Sequence, residues 1–176
     1  MITIERPGSG EFATFYAGYV SRVPDLVDAP QVLRTQGAAA ASTFAALDDE
    51  RAGHRYQPEK WSIREMLGHL CDAERIFAYR LLRIARGDQT PLPGFEENDY
   101  VRAAGSDARL VADLVEEWRA IRHATATLVA GLGDDTAARR GTMNGNPITV
   151  RALAYIIVGH VDHHLDVLRT RYGVAA

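Results

Sequence analysis

The stretch from Ser62 to Gly87 constrains the fold most. Ser62-Ile63-Arg64-Glu65 reads as a capping box, a serine N-cap answered three residues later by glutamate. Trp61 stands just before the cap, where an apolar residue can staple the entry turn. Ile63, Met66, Leu67, Leu70, Ile76, Phe77, Leu81, Leu82 and Ile84 then recur at helical spacing. Such a stripe must be buried against other elements, and three further runs supply them. Val32, Leu33, Ala39, Ala40, Phe44 and Leu47 mark a first helix over about 31–47. Leu110, Leu114, Val115, Trp118, Ile121, Leu128 and Val129 mark a third, starting at Ser106 or Asp107 and ending at Gly131. Leu153, Ile156, Ile157, Val161, Leu165 and Leu168 mark a fourth from Val150 to Tyr172, with Thr149 as its cap and Gly173 as a C′ glycine. No segment alternates as a strand. The expected fold class is all-α, a four-helix bundle forming one domain over residues 1–176.

The connections differ in kind. Residues 86–105 contain Gly87, Pro91, Pro93, Gly94, Asn98 and Gly105. They are too many for a tight helix hairpin and are expected as an ordered crossover between the second and third helices. Residues 133–147 are expected as a polar connection. The segment 1–28 carries Phe12, Phe15, Tyr16 and Tyr19, and is expected to lay these rings on the bundle. Trp61 and Trp118 are read most simply as core.

The fourth helix carries Gly159-His160-Val161-Asp162-His163-His164. Residues four apart lie one turn apart on one face, so His160 and His164 point two imidazoles at a common place. His163 lies roughly 100° round from His164 and is a less natural ligand. Of the other histidines, His54 falls in a connection and His123 among small polar residues. His69 sits on the apolar side of the second helix, beside Leu70 and Met66. His69, His160 and His164 are therefore the most economical three-ligand set. Three neutral imidazoles with an open fourth position are the arrangement of a catalytic metal. The alternative, histidines satisfied in the core or paired by chance on a solvated face, stays open on these grounds. Asp72, three residues after His69, is a candidate to orient His69 or a bound water, or else a surface carboxylate. Cys71 is roughly 200° round from His69 and is excluded as ligand or nucleophile.

The formal net charge of −3 offers no footprint of a nucleic-acid binder. No apolar run is long enough to span a bilayer. Residues 1–10 lack the apolar stretch of a signal peptide. One cysteine permits no internal disulfide and fits a cytoplasmic location.

The run Lys60-Trp61-Ser62-Ile63-Arg64-Glu65-Met66-Leu67-Gly68-His69-Leu70-Cys71-Asp72-Ala73-Glu74-Arg75 resembles the second helix of the DinB/YfiT-like superfamily. Phe77-Ala78-Tyr79-Arg80, Leu92-Pro93-Gly94-Phe95 and Tyr155-Ile156-Ile157-Val158-Gly159-His160 with His163-His164 continue the likeness. The resemblance implies a divalent metal, nickel or zinc, held by His69, His160 and His164. It implies a small-molecule substrate and, among close relatives, a low-molecular-weight thiol cosubstrate. The implied activity is a thiol-dependent S-transferase acting on small electrophiles, with Asp72 or His163 as proton shuttle or orienter. The alternatives are a metal-dependent hydrolase and a non-catalytic, metal-stabilised bundle or binding module. Glu74 and Arg80 match the family's second-helix pattern, as an internal salt bridge or in catalysis. A homodimer is expected from the resemblance.

Overall fold

The computed structural model describes residues 3–175; residues 1–2 and 176, at the ends of the expected 1–28 segment and 1–176 domain, lie outside the described residues. In chain order the elements are β1 (Thr3–Glu5), α1 (Ala17–Val20), β2 (Leu26–Asp28), α2 (Ala29–Ala45), α3 (Asp49–Ala52), α4 (Ile63–Ala85), α5 (Glu97–Ala104), α6 (Val111–Ala130), β3 (Arg140–Met143), β4 (Asn146–Thr149) and α7 (Val150–Arg171). The long helices α2, α4, α6 and α7 form the bundle. α2 packs on α6 and α7, and α4 packs on the same two helices, so α2 and α4 face each other across the core. This places α4 beside α7 and sets His69 against the histidine pair.

The helix ends follow local chemistry. Ser62 Oγ accepts from Glu65 N at 3.0 Å, and Ser62 N donates to Glu65 Oε2 at 2.9 Å, so both halves of the capping box form. Thr149 accepts from Ala152 N at 3.2 Å. Gly173 adopts φ +66° and lets Val174 N bond back to Leu168 O, closing α7.

α6 begins later than Ser106 or Asp107. Residues Ser106–Ala108 form a separate 3-10 turn. Asp107 is drawn away from the α6 terminus by Ser62 Oγ at 2.5 Å and Arg55 Nη2 at 2.6 Å. The cap comes instead from a distant residue: Asp49 Oδ1 accepts from Val111 N at 3.0 Å.

Two small antiparallel pairs join the helices. β1 pairs with β2, Thr3 opposite Asp28. β3 pairs with β4, Arg140 opposite Thr149 and Met143 opposite Asn146, so part of the expected polar connection is a hairpin. Its turn, Asn144-Gly145, has φ of 49° and 72°, the positive values a two-residue hairpin turn requires. The crossover clips onto this hairpin: Leu92 N donates to Thr142 O, and Asn144 N to Leu92 O, both at 2.9 Å. The N-terminal segment is fixed at the start of α7. Glu11 accepts from Thr149 Oγ1 at 2.9 Å and from Arg151 Nε at 2.7 Å. Of its rings, Phe12, Tyr16 and Tyr19 pack on the core, whereas Phe15 is 76% exposed. No helix among the described residues is long and apolar enough to cross a membrane.

Candidate metal centre

His69 comes from the second turn of α4, and His160 and His164 from successive turns of α7. All three are buried. His160 Nε2 lies 3.0 Å from His69 Nε2 and 3.2 Å from His164 Nε2. Ligand atoms of the three lie within 4.8 Å of one another. A neutral imidazole nitrogen carries either one proton or one lone pair, so a shared proton satisfies the cluster only in part. Zinc–nitrogen bonds of 2.0–2.1 Å put tetrahedral ligand nitrogens roughly 3.3 Å apart, and a six-coordinate ion puts neighbours at roughly 3 Å. The two spacings at His160 match those between ligands of one ion, which would accept all three lone pairs. Burial holds the three rings neutral, the form that binds metal. It lowers His69 to about 4, and takes His160 and His164 well below the usual imidazole value, with neighbouring rings adding to the effect.

Aromatic rings wrap the triad. Trp61 lies 4.7 Å from His69 between ring centroids and stacks at 6.3 Å on His164. Its indole donates to Asn98 Oδ1 at 3.2 Å. Trp61 is thus part of the site and not of the core, while Trp118 is fully buried as expected. Tyr19 and Phe77 approach His160 edge-on at 5.4 and 5.6 Å. Tyr19 gets there through Gly159: a Cβ at that position would stand 2.0 Å from Tyr19 O, so only glycine lets α1 pack against α7 here.

The histidines form one wall of a cavity of about 550 Å³, which also meets Tyr16, Tyr19, Trp61, Phe77, Arg80 and Phe95. Burial raises the phenols of Tyr16 and Tyr19 above their usual value, so they present hydroxyl donors. His163 lines the same cavity, half-buried, its ring 5.5 Å from Tyr19 and 5.0 Å from His164. Burial and Arg22 lower its pKa.

Asp72 does not join them. It is absent from the cavity wall and belongs to a charged group with Arg75, 3.8 Å away, and with Glu117 and Arg109. Its neighbour Ala73 faces the cavity instead, since the fourth residue after His69 lies nearer its face than the third does. Cys71 is turned to α6, its Sγ 3.9 Å from Leu114 O, and burial pushes its thiol up to about 12. His54 and His123 are exposed and stand outside the cluster. Sequence reasoning missed Tyr16, Tyr19 and Trp61 as site residues because tertiary packing, not spacing, delivers them.

A family model described as the DinB superfamily matches residues 32–168. YfiT from Bacillus subtilis, described as a probable metal-dependent hydrolase with an unusual four-helix bundle topology, superposes with a TM-score of 0.73 at 17% identity. The match covers 97% of this chain and 95% of that one. The mycothiol-dependent maleylpyruvate isomerase superposes with a TM-score of 0.68 at 12% identity, over 85% of this chain and 61% of that one. No curated protein matches the chain. At these identities the two structures establish the shared fold.

Proposed function

The chain belongs to the DinB superfamily, and from that premise we propose that it is a divalent-metal-dependent enzyme, a thiol-dependent S-transferase acting on small electrophiles. One observation carries the reading: three neutral imidazoles converge on the wall of a cavity, so an ion held there would be reachable by a ligand from the cavity. His69, His160 and His164 would hold the ion, and an all-imidazole set suits nickel or zinc. When bound, such an ion lowers the pKa of a thiol or water and makes it a nucleophile near neutral pH.

The chain's own side chains do the rest. Trp61, Tyr19 and Phe77 pack their rings against the triad and would screen it from bulk water. His163 faces the same space and accepts the proton that the nucleophile loses. Tyr16 and Tyr19 donate hydrogen bonds to the substrate. Asp72 has no part, because it faces α6. On this reading the chain works as one domain in the cytoplasm on a small molecule, with neither nucleic acid nor membrane as partner. It works as a homodimer, and the exposed Tyr79 and Leu82 beside Ile121 and Leu128 offer an apolar face for pairing; a monomer mass by light scattering at all concentrations would exclude this.

A second reading, hydrolysis, draws support from the description of YfiT as a probable metal-dependent hydrolase. The same position would then activate water in place of thiol. The test is metal analysis followed by two screens, conjugation of small electrophiles with several low-molecular-weight thiols and thiol-free ester hydrolysis. Metal-dependent turnover only with thiol supports the transferase. Turnover without thiol supports the hydrolase. Stoichiometric metal with no turnover in either supports the non-catalytic bundle.

A further inference from the structure

The cavity has a second pole that the metal chemistry leaves unused. Arg80 is only 3% exposed, yet it lines the cavity. Its Nη2 donates to Pro93 O at 2.6 Å. Its Cζ stands 5.9 Å from the centroid of Phe77 and 5.6 Å from that of Phe95. Among the described residues no carboxylate pairs with it; its polar neighbours are phenols, Tyr16 and Tyr100. The other deeply buried arginine, Arg122, does face a carboxylate, Glu74, at 3.5 Å. A buried guanidinium stays charged, and π faces with one carbonyl offset only part of its desolvation. A buried cation that faces an open cavity and lacks a counter-ion is a site for an anion.

Placement along α4 says how that anion relates to the triad. His69, Ala73, Phe77 and Arg80 all line the cavity from successive turns of one face. Roughly 16 Å of helix axis separates the Cα atoms of His69 and Arg80. Helical side chains lean toward the N-terminus, so Arg80 reaches back toward the histidines. Phe77 touches both poles, its ring 5.6 Å from His160. Glu96 and Glu97 also line the cavity, and neither pairs with Arg80. The charge of Glu97 acts on Tyr16 and Tyr19.

We propose that Arg80 anchors a carboxylate of the small molecule that fills this cavity, with the body of the molecule over Phe77 and Phe95 and its reactive end toward the histidines. The proposal rests on the cavity being the active site, and it holds whether the carboxylate belongs to the electrophile or to the thiol. The test measures binding of two matched pairs, benzoate against benzamide and N-acetylcysteine against its amide. The protein is used both as purified and after chelator treatment, with Arg80→Gln and Arg80→Lys alongside the parent. At least one carboxylate should bind tenfold tighter than its amide. Arg80→Gln should erase that preference and Arg80→Lys should retain part of it. The pair that shows the preference identifies its source. Preference in metal-free protein upholds the proposal even if the metal reading fails. The proposal is overturned if neither acid is preferred, or if the preference survives Arg80→Gln. A preference that needs metal and ignores Arg80→Gln assigns the carboxylate to the ion. Should Arg80→Gln fail to fold, phenylglyoxal labelling of the parent decides: an acid should protect the Arg80 peptide and its amide should not, and equal labelling overturns the proposal.

Discussion

Two of the polar clusters buried in this bundle are buried differently. Between α4 and α7, three histidines turn their Nε2 atoms toward one another with no charged partner, on the wall of a cavity. Between α4 and α6, Glu74 and Arg122 face each other at 3.5 Å, with Arg122 also held by Gln36 Oε1 at 3.1 Å and laid over Trp118 at 4.6 Å. The second cluster pairs opposite charges, with Glu74 Oε1 and Arg122 Nε and Nη1 making no hydrogen bond among the described residues. Gly37 is fitted around it, since a Cβ there would stand 2.4 Å from Arg122 Cγ. The first cluster is neutral, convergent and open. A buried polar residue is therefore no sign of function by itself; neutral donors converging beside a cavity, with no charge to answer them, are.

That contrast is open to being broken from either side. The largest effect is expected at the charged pair. Arg122→Ala leaves Glu74 buried without its counter-charge and should cost about 3–5 kcal/mol, read by urea denaturation. The double change Glu74→Leu with Arg122→Met should recover most of that loss, because both charges go together. If the single variant is as stable as the parent, the pair is not a structural unit.

Glu11 calibrates the comparison as a buried carboxylate with all its partners in place. Its bonds to Arg151, Gly8 N and Thr149 hold its pKa at about 2, against an ordinary 4.5. The folded value is depressed, so the stabilisation is fully present above about pH 4.5 and is lost as pH falls toward about 2. Solvent screening at the partly exposed Arg151 holds its size to about 1–2 kcal/mol. Parent and Glu11→Gln should therefore differ most at neutral pH and converge in acid. An equal gap at pH 7 and pH 3 would rule out this linkage.

Gly159→Ala acts at the open cluster without touching a ligand. The added methyl meets the Tyr19 carbonyl and should cost about 1–3 kcal/mol. It should also free α1, so that protease cuts the segment carrying Tyr16 and Tyr19 faster while metal content holds. Unchanged cleavage would mean that α1 docks by other contacts. The smallest effects belong to the exposed histidines: His54→Ala and His123→Ala should stay within about 0.5 kcal/mol of the parent.

The sequence carried different parts of this molecule unequally. Helix caps and apolar periodicity are local, so Ser62, Thr149 and Gly173 were readable. The pair His160 and His164 needs only one helical turn to converge. His69 was placed by its apolar neighbours. Asp72 stands off the cavity wall because three and four residues along a helix fall on opposite sides of a reference face, and α6 lies on its side. The hairpin at Asn144-Gly145 had its turn signal, but two four-residue strands show too little alternation to stand out. The delivery of Tyr19 past Gly159, the cap on α6 from Asp49 and the placing of Trp61 over His69 are long-range, and no spacing encodes them.

The central claim is that the open cluster is a metal site, and metal content measures it most directly. Parent, His160→Ala, His164→Ala and His123→Ala proteins, equilibrated with zinc or nickel and dialysed, would be analysed for metal per chain. The account predicts one ion per chain in the parent and in His123→Ala, and none above background in His160→Ala and His164→Ala. Full metal content in His160→Ala and His164→Ala would contradict it.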